Sequence, residues 1–198
     1  MGSFLIAGLG NPGKEYLKTR HNLGFLVVEA LSRKWEVLFQ KKAALKGALA
    51  QKKENDVKTY LFKPMTYMNL SGEAVKAALD YLKIDLSNLL VVVDDAALPF
   101  GEMRLKKESG SGGHNGLKSI EQQLSTQAYL RLRIGVGEQK EKNLEAHVLG
   151  KFTSNELEYL PTVEKRAIEV IELFLLKGFA VAQNVANVRQ IKTTKDEE

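Results

Sequence analysis

The sequence predicts an α/β fold, a single domain built on a twisted mixed β-sheet with helices packed on both faces. Three observations carry that expectation. Short apolar runs at 4–7, 59–62 and 89–93 have the length of strands. Helix-period stripes lie between them, first Leu23, Leu26, Val27, Ala30 and Leu31, then Val75, Ala78, Leu79 and Leu82. Leu89 to Val93 is aliphatic throughout, flanked by Asn88 and Asp94, the pattern of a central strand buried on both faces. Apolar strands alternating with amphipathic helices make an α/β sheet, whose ligands collect beyond the carboxyl ends of the strands.

Taken in order, the strand Phe4–Ala7 runs into a glycine-studded turn, Gly8, Gly10 and Gly13, with Asn11 and Pro12 inside it. A polar segment with Tyr16, Thr19, Arg20, His21 and Asn22 follows, Asn22 being the expected N-cap of the first helix. Trp35 to Phe39 and Lys41 to Lys58 are charge-rich and read as edge strands or a hairpin with solvated lysines. Pro64 stops the strand that begins at Thr59, and Ser71 is the expected cap of the next helix. Met103 to Lys106 alternates, and the glycine-rich loop Gly110–Gly113 leads into His114 and Asn115. Such a loop can move over a site. Lacking Gly-Lys-Ser/Thr, it argues against a nucleoside triphosphate. Leu117, Ile120 and Leu124 mark a helix. Leu130 to Val136 alternates as a half-buried strand with Arg131 and Arg133 on its polar face, and His147 reads as a structural strand residue. Thr153 and Glu156 form a capping box for a short helix ending near Pro161. A longer helix with Val163, Ala167, Val170, Ile171 and Phe174 is stopped by Gly178. There is no internal repeat and no linker, which leaves one domain over 1–192 and a disordered tail over 193–198.

The 198 residues suit one domain with a substantial core, and 44% hydrophobic with 27% charged residues is ordinary for a globular protein. No apolar run approaches the roughly 20 residues of a membrane span. A signal peptide is not expected, and position 6 is Ile where a lipid-anchor motif at Gly2 needs Ser or Thr. The absence of cysteine excludes disulfides and thiolate metal sites. The three histidines lack metal-ligand spacing, so no metal is expected. A cytoplasmic location is the expectation. A net charge of +5 and a pI near 9.2 lean towards a polyanionic partner.

Gly8, Gly10 and Gly13 satisfy the dinucleotide fingerprint, but that motif needs a helix to open at its third glycine. Here the apolar stripe starts well beyond Gly13, which weakens a nucleotide cofactor. GLGNPG, Tyr16, Thr-Arg-His-Asn at 19–22, Gly24 and Phe25 together resemble the opening motif of bacterial peptidyl-tRNA hydrolases. The resemblance continues through KPMTYMNLSG at 63–72, DDAALPFG at 94–101, SGGHNGLKSI at 111–120, RLRIGVG at 131–137 and VLGKF at 148–152. The blocks stand in the family's order along most of the chain. Where the family carries a further acidic residue, this chain has Ala97.

The resemblance implies an esterase acting on peptidyl-tRNA as a monomer, with no cofactor. It places the family's catalytic histidine on His21 and its carboxylate partner on Asp94. An imidazole near neutral pKa suits the removal of a proton from water, and a carboxylate on its other nitrogen fixes the tautomer. No serine or cysteine sits in a nucleophile elbow, so direct attack by water is expected. The resemblance assigns Asn11 to sensing the first peptide linkage, and Tyr16, Tyr67, Asn69 and Asn115 to the 3′ end and the peptide. It gives Met68 the floor of the site, and gives Lys106 and Arg133 the tRNA phosphate. Plainer readings stand beside these: a turn asparagine at 11, core packing for Met68, helix caps at Asn69 and Asn115, and a solvated strand face for Lys106 and Arg133. Asn11, Met68 and Asp94 each follow a strand's carboxyl end, so one sheet edge can gather them. A non-catalytic RNA-binding relative of the same fold, of the splicing-factor type, is the competing function.

Overall fold

The structure is a computed structural model that describes residues 2–137 and 143–188. Among the described residues seven strands form one sheet in the order β2-β3-β4-β1-β5-β7-β6. These are β1 Ser3–Gly8, β2 Gln40–Lys42, β3 Gly47–Glu54, β4 Val57–Pro64, β5 Leu89–Asp95, β6 Met103–Lys106 and β7 Leu130–Gly135. The inner four, β4, β1, β5 and β7, are parallel, and β2, β3 and β6 run antiparallel at the edges. The lysine-rich region is therefore a β3–β4 hairpin with a three-residue edge strand outside it.

Helices α1 Leu23–Lys34, α5 Ser154–Lys177 and α6 Phe179–Ala186 cover one face. Helices α2 Ser71–Leu82 and α3 Asn115–Leu124 cover the other. Alternation sorts the strand residues between the layers. Ile6, Leu90 and Val92 join α1 and α5, while Leu5, Ala7, Leu89, Val91 and Val93 join α2 and α3. The expected mixed sheet with helices on both faces is the fold observed. Among the described residues no helix is long and apolar enough to cross a membrane.

Several local expectations are corrected. Asn22 and Ser71 do not cap with their side chains: Asn22 bonds the Asn11 backbone, and Ser71 is the first helical residue of α2. His147 lies in a short helix, α4 Leu144–Leu149, where its Nε2 meets the Gly137 carbonyl at 3.1 Å. The Thr153–Glu156 capping box opens one helix of 24 residues that runs through Pro161 to Gly178. Proline leaves the Leu157 carbonyl without its helical partner, at a cost of about 3 kcal/mol. Six large buried side chains, Leu160, Val163, Ile168, Val170, Ile171 and Phe174, outweigh that, at roughly 1.5–3 kcal/mol each when fully buried.

Strand β7 is buried on both faces, not half-buried. Arg131 is fully buried under α3, stacks 3.8 Å from the Tyr129 ring and donates to the Gln127 and Tyr129 carbonyls. At the β6 edge the side chains of Gln183 and Asn187 replace a missing strand. Asn187 Oδ1 accepts from Leu105 N–H at 2.8 Å, and Gln183 Nε2 donates to Leu105 C=O at 3.1 Å. The expected tail at 193–198 lies outside the described residues.

Candidate active site

The carboxyl ends of β1, β4, β5 and β7 open into a cleft of about 1040 Å³. That is the upper end of the usual range for a small-molecule site. Asn11, Tyr16, His21, Tyr67, Met68, Asn69, Asp94, Asn115 and Arg133 all line it. Lys106 does not; it stands exposed on β6 beyond the cleft. His114, which the sequence places just after the glycine-rich loop, lines it too.

Close backbone packing brings the parts together. A Cβ on Gly24 would strike the Leu9 nitrogen and the Val92 carbonyl, and one on Gly10 the Phe25 ring. The start of α1 therefore lies directly on the backbones of β1 and β5. This contact carries the one-turn 3-10 segment Arg20–Asn22 to the end of β5. Asn22 bonds both backbone groups of Asn11, Oδ1 to N–H at 2.8 Å and Nδ2 to C=O at 2.9 Å. Asn11 Oδ1 accepts from Met68 N–H at 2.7 Å, which leaves its NH₂ group without a protein partner among the described residues. Met68 itself is buried.

His21 Nδ1 lies 3.1 and 3.0 Å from the two Asp94 oxygens, and both residues are buried. His114 Nε2 meets Asp94 Oδ1 at 3.1 Å, and the two imidazoles are 4.7 Å apart at 50°. The hydrogen-bond network assigns the tautomers. His114 caps α3 with Nδ1, which accepts from Gly116 N–H at 3.1 Å and Leu117 N–H at 3.3 Å. Its proton therefore sits on Nε2 and points at Asp94. Both nitrogens of His114 are occupied. His21 donates Nδ1–H to Asp94, and its Nε2 has no protein partner among the described residues. Of the two, only His21 has a nitrogen to offer a substrate.

The electrostatics follow the same geometry. Burial alone would lower the His21 pKa, but the facing Asp94 charge and its hydrogen bond raise it above the ordinary 6.5. Burial alone would push the Asp94 carboxyl up, and the two imidazoles more than reverse this, holding it well below the usual carboxylate range. His21, Asp94 and His114 place potential ligand atoms within 4.8 Å of one another. A metal on His114 Nε2 would require an imidazolate, or the loss of both backbone donors from Nδ1. The trio is built as a chain of hydrogen bonds.

Arg133 is not on a solvated face. Its Nε donates to Asp95 Oδ2 at 2.7 Å, and its Nη1 to the Gly110 and Ser111 carbonyls at 3.2 and 3.5 Å. It grips the glycine loop from below. Asn115 is the first residue of α3 and not its cap, and Asn69 lies within the 3-10 turn Met68–Leu70. Ala97, where the family motif carries an acid, donates its N–H to Asp95 Oδ1 at 2.9 Å.

The fold and the site define an α/β protein with a histidine–aspartate centre at the carboxyl edge of a mixed sheet. Its sequence matches the model of the family described as "Peptidyl-tRNA hydrolase" over residues 5–195. A peptidyl-tRNA hydrolase of Gloeobacter violaceus is 42% identical over 193 residues, 97% of this chain and 98% of that one. One from Prochlorococcus marinus is 46% identical over 179 residues, covering 87% and 90%. The crystal structure of the Acinetobacter baumannii peptidyl-tRNA hydrolase superposes with a TM-score of 0.88 at 35% identity, covering 94% of this chain and 95% of that one. A 5′-methylthioadenosine nucleosidase of Arabidopsis thaliana shares the fold alone, at 10% identity and a TM-score of 0.52, over 95% and 99%. The chain belongs to the peptidyl-tRNA hydrolase family.

Proposed function

We propose that this protein hydrolyses the ester bond between a peptide and tRNA in peptidyl-tRNA released from ribosomes, and so recycles the tRNA. One observation supports the reading above all: a buried His21–Asp94 pair with one imidazole nitrogen left for the cleft. His21 Nε2 takes a proton from water as the water oxygen attacks the ester carbonyl. Asp94 fixes the reactive tautomer and favours the imidazolium as it forms. Neutral amides at Asn11, Asn69 and Asn115 supply donors to the developing oxyanion and to the peptide. The tetrahedral intermediate collapses by breaking the bond to the ribose oxygen, which receives the proton from His21. A free peptide acid and a free tRNA result. No acyl-enzyme forms.

Selectivity for a blocked amino group follows from Asn11. With Oδ1 held by Met68 N–H, it faces the substrate as a donor, which suits the carbonyl oxygen of a peptide linkage. A free α-ammonium brings a donor to that donor. Tyr16 and Tyr67 offer rings to the 3′ end, and Lys106 with Arg133 draws the tRNA phosphates without reading sequence. In this reading residues 1–192 act as one domain, as a monomer in the cytoplasm, without metal or cofactor.

Incubation with N-acetylaminoacyl-tRNA should release the acetylated amino acid, while free aminoacyl-tRNA persists. His21→Ala should lower turnover by at least 10²-fold with tRNA affinity little changed. Retention of the intact ester by the wild-type protein would mean an RNA binder and no enzyme.

A further inference from the structure

The Arg20–Asn22 turn is held from three sides. His21 reaches Asp94 on β5, and Asn22 reaches the Asn11 backbone after β1. Arg20 reaches the start of α5. Its Nε and Nη2 donate to Glu156 Oε1 and Oε2 at 3.3 and 2.6 Å, and its Nη1 to the Lys151 carbonyl at 2.9 Å. The backbones join there as well, Arg20 N–H to Gly150 C=O and Phe152 N–H to Lys18 C=O, each at 3.1 Å. Glu156 is at the same time the capping-box acid of α5, its Oε2 accepting from Thr153 N–H at 2.7 Å. One carboxylate thus ties the turn carrying His21 to a helix anchored along the sheet.

The linkage reaches the far wall of the cleft. Residues 150–153 join α5 to α4, whose Leu144, Val148 and Leu149 line the site. Arg20 is buried, and its side chain and that of Glu156 are 11% and 18% exposed. A forked, bidentate pair fixes an angle as well as a distance. Buried ion pairs are weak sources of net stability and better attested as devices that set register. The titratable groups around the turn come from several elements, among them Glu145 and His147 of helix α4, which packs against it. Asp94 from β5 and His114 from the α3 terminus face His21, Glu156 from α5 faces Arg20, and Lys18 and Lys151 lie exposed beside it.

We propose that Arg20 and Glu156 are a positioning pair, setting the His21 ring against Asp94 and the α4 wall against the ring. The inference rests on the hydrolase reading above. It assigns no contact with substrate to either residue.

The test uses the full chain with Arg20→Lys, which keeps the charge and loses the fork, and Glu156→Gln, which keeps the shape and loses the charge. Titration of the His21 ring by NMR is measured with kcat and KM on N-acetylaminoacyl-tRNA across pH, and with thermal unfolding. Both variants should stay folded and lose roughly 10- to 100-fold in kcat with KM little changed, the penalty of a reacting group displaced by about an ångström. The midpoint of the His21 titration should fall towards its ordinary value as the ring slips from Asp94, carrying the acid limb of kcat with it. A pair that serves folding alone would lower kcat in step with the folded fraction and leave that midpoint unmoved, which overturns the proposal. A wild-type protein that cleaves no acylated tRNA sinks the hydrolase reading instead, and the ring titration still decides what Arg20 and Glu156 do.

Discussion

Asn11 keeps its NH₂ group without a protein partner among the described residues, while its oxygen accepts from the Met68 amide. Asn11→Asp replaces that donor by an acceptor of the same shape. Turnover of N-acetylaminoacyl-tRNA should fall about 10²–10³-fold, the usual effect of losing one such donor. The ratio of kcat/KM between blocked and free aminoacyl-tRNA should narrow, and an unchanged ratio would exclude Asn11 from selectivity. Lys106 and Arg133 are expected to differ. Lys106→Ala should lower the slope of log K against log salt by about 0.7–0.9, one phosphate contact, with little effect on small esters. Arg133→Ala also frees Asp95 and the carbonyls of Gly110 and Ser111, so it should reduce kcat on small esters as well. Equal effects of the two variants on both substrates would contradict this division. His114 marks where the sequence stopped being legible at this scale. Its capping role is local and could be anticipated, whereas its contact with Asp94, twenty residues earlier, depends on how β6 and the glycine loop fold back. The alternation around Arg131 and Arg133 was legible as two environments. It did not say that the polar one would be covered by α3.

Pro161 shows how packing overrules a local signal. In the sequence it ends a helix; in the fold it is an exposed residue inside α5, whose apolar stripe continues on both sides of it. Pro161→Ala restores a hydrogen bond to the Leu157 carbonyl, and helix propensity alone would favour it by about 3 kcal/mol. The greater freedom of the unfolded chain takes back ~0.4–1 kcal/mol. A net gain of about 2 kcal/mol should appear as a higher urea midpoint at constant m-value, and no gain would show that α5 is already relaxed around the ring. The capping box and the glycine stop of α5 were readable because both are local chemistry. Helix α4 was not, since Val148 and Leu149 give too short an apolar run to tell helix from strand. Asn22 and Ser71 are competent caps by type, yet Asn22 spends both polar atoms on Asn11.

Across the whole molecule, the two halves of the His21–Asp94 pair make stability depend on pH in opposite directions. Asp94, with its pKa depressed from the ordinary 3.8, contributes stability above that value and loses it as pH falls through the folded pKa. His21, raised from 6.5, contributes below that value and loses it as pH rises through its own folded pKa. The stability difference between wild type and Asp94→Asn should therefore be widest between about pH 4 and 6.5 and narrow on either side, read from urea unfolding at several pH values. A difference that stays level across that range would deny the pair its charge coupling. The order of the chain has a further consequence at the β6 edge. Leu105 finds its partners on Gln183 and Asn187. During synthesis β6 emerges from the ribosome roughly 80 residues ahead of those side chains, about 4–16 s at ~5–20 residues per second. For that interval the nascent sheet has an open hydrogen-bonding margin, and a message broken before codon 183 yields a chain that keeps it.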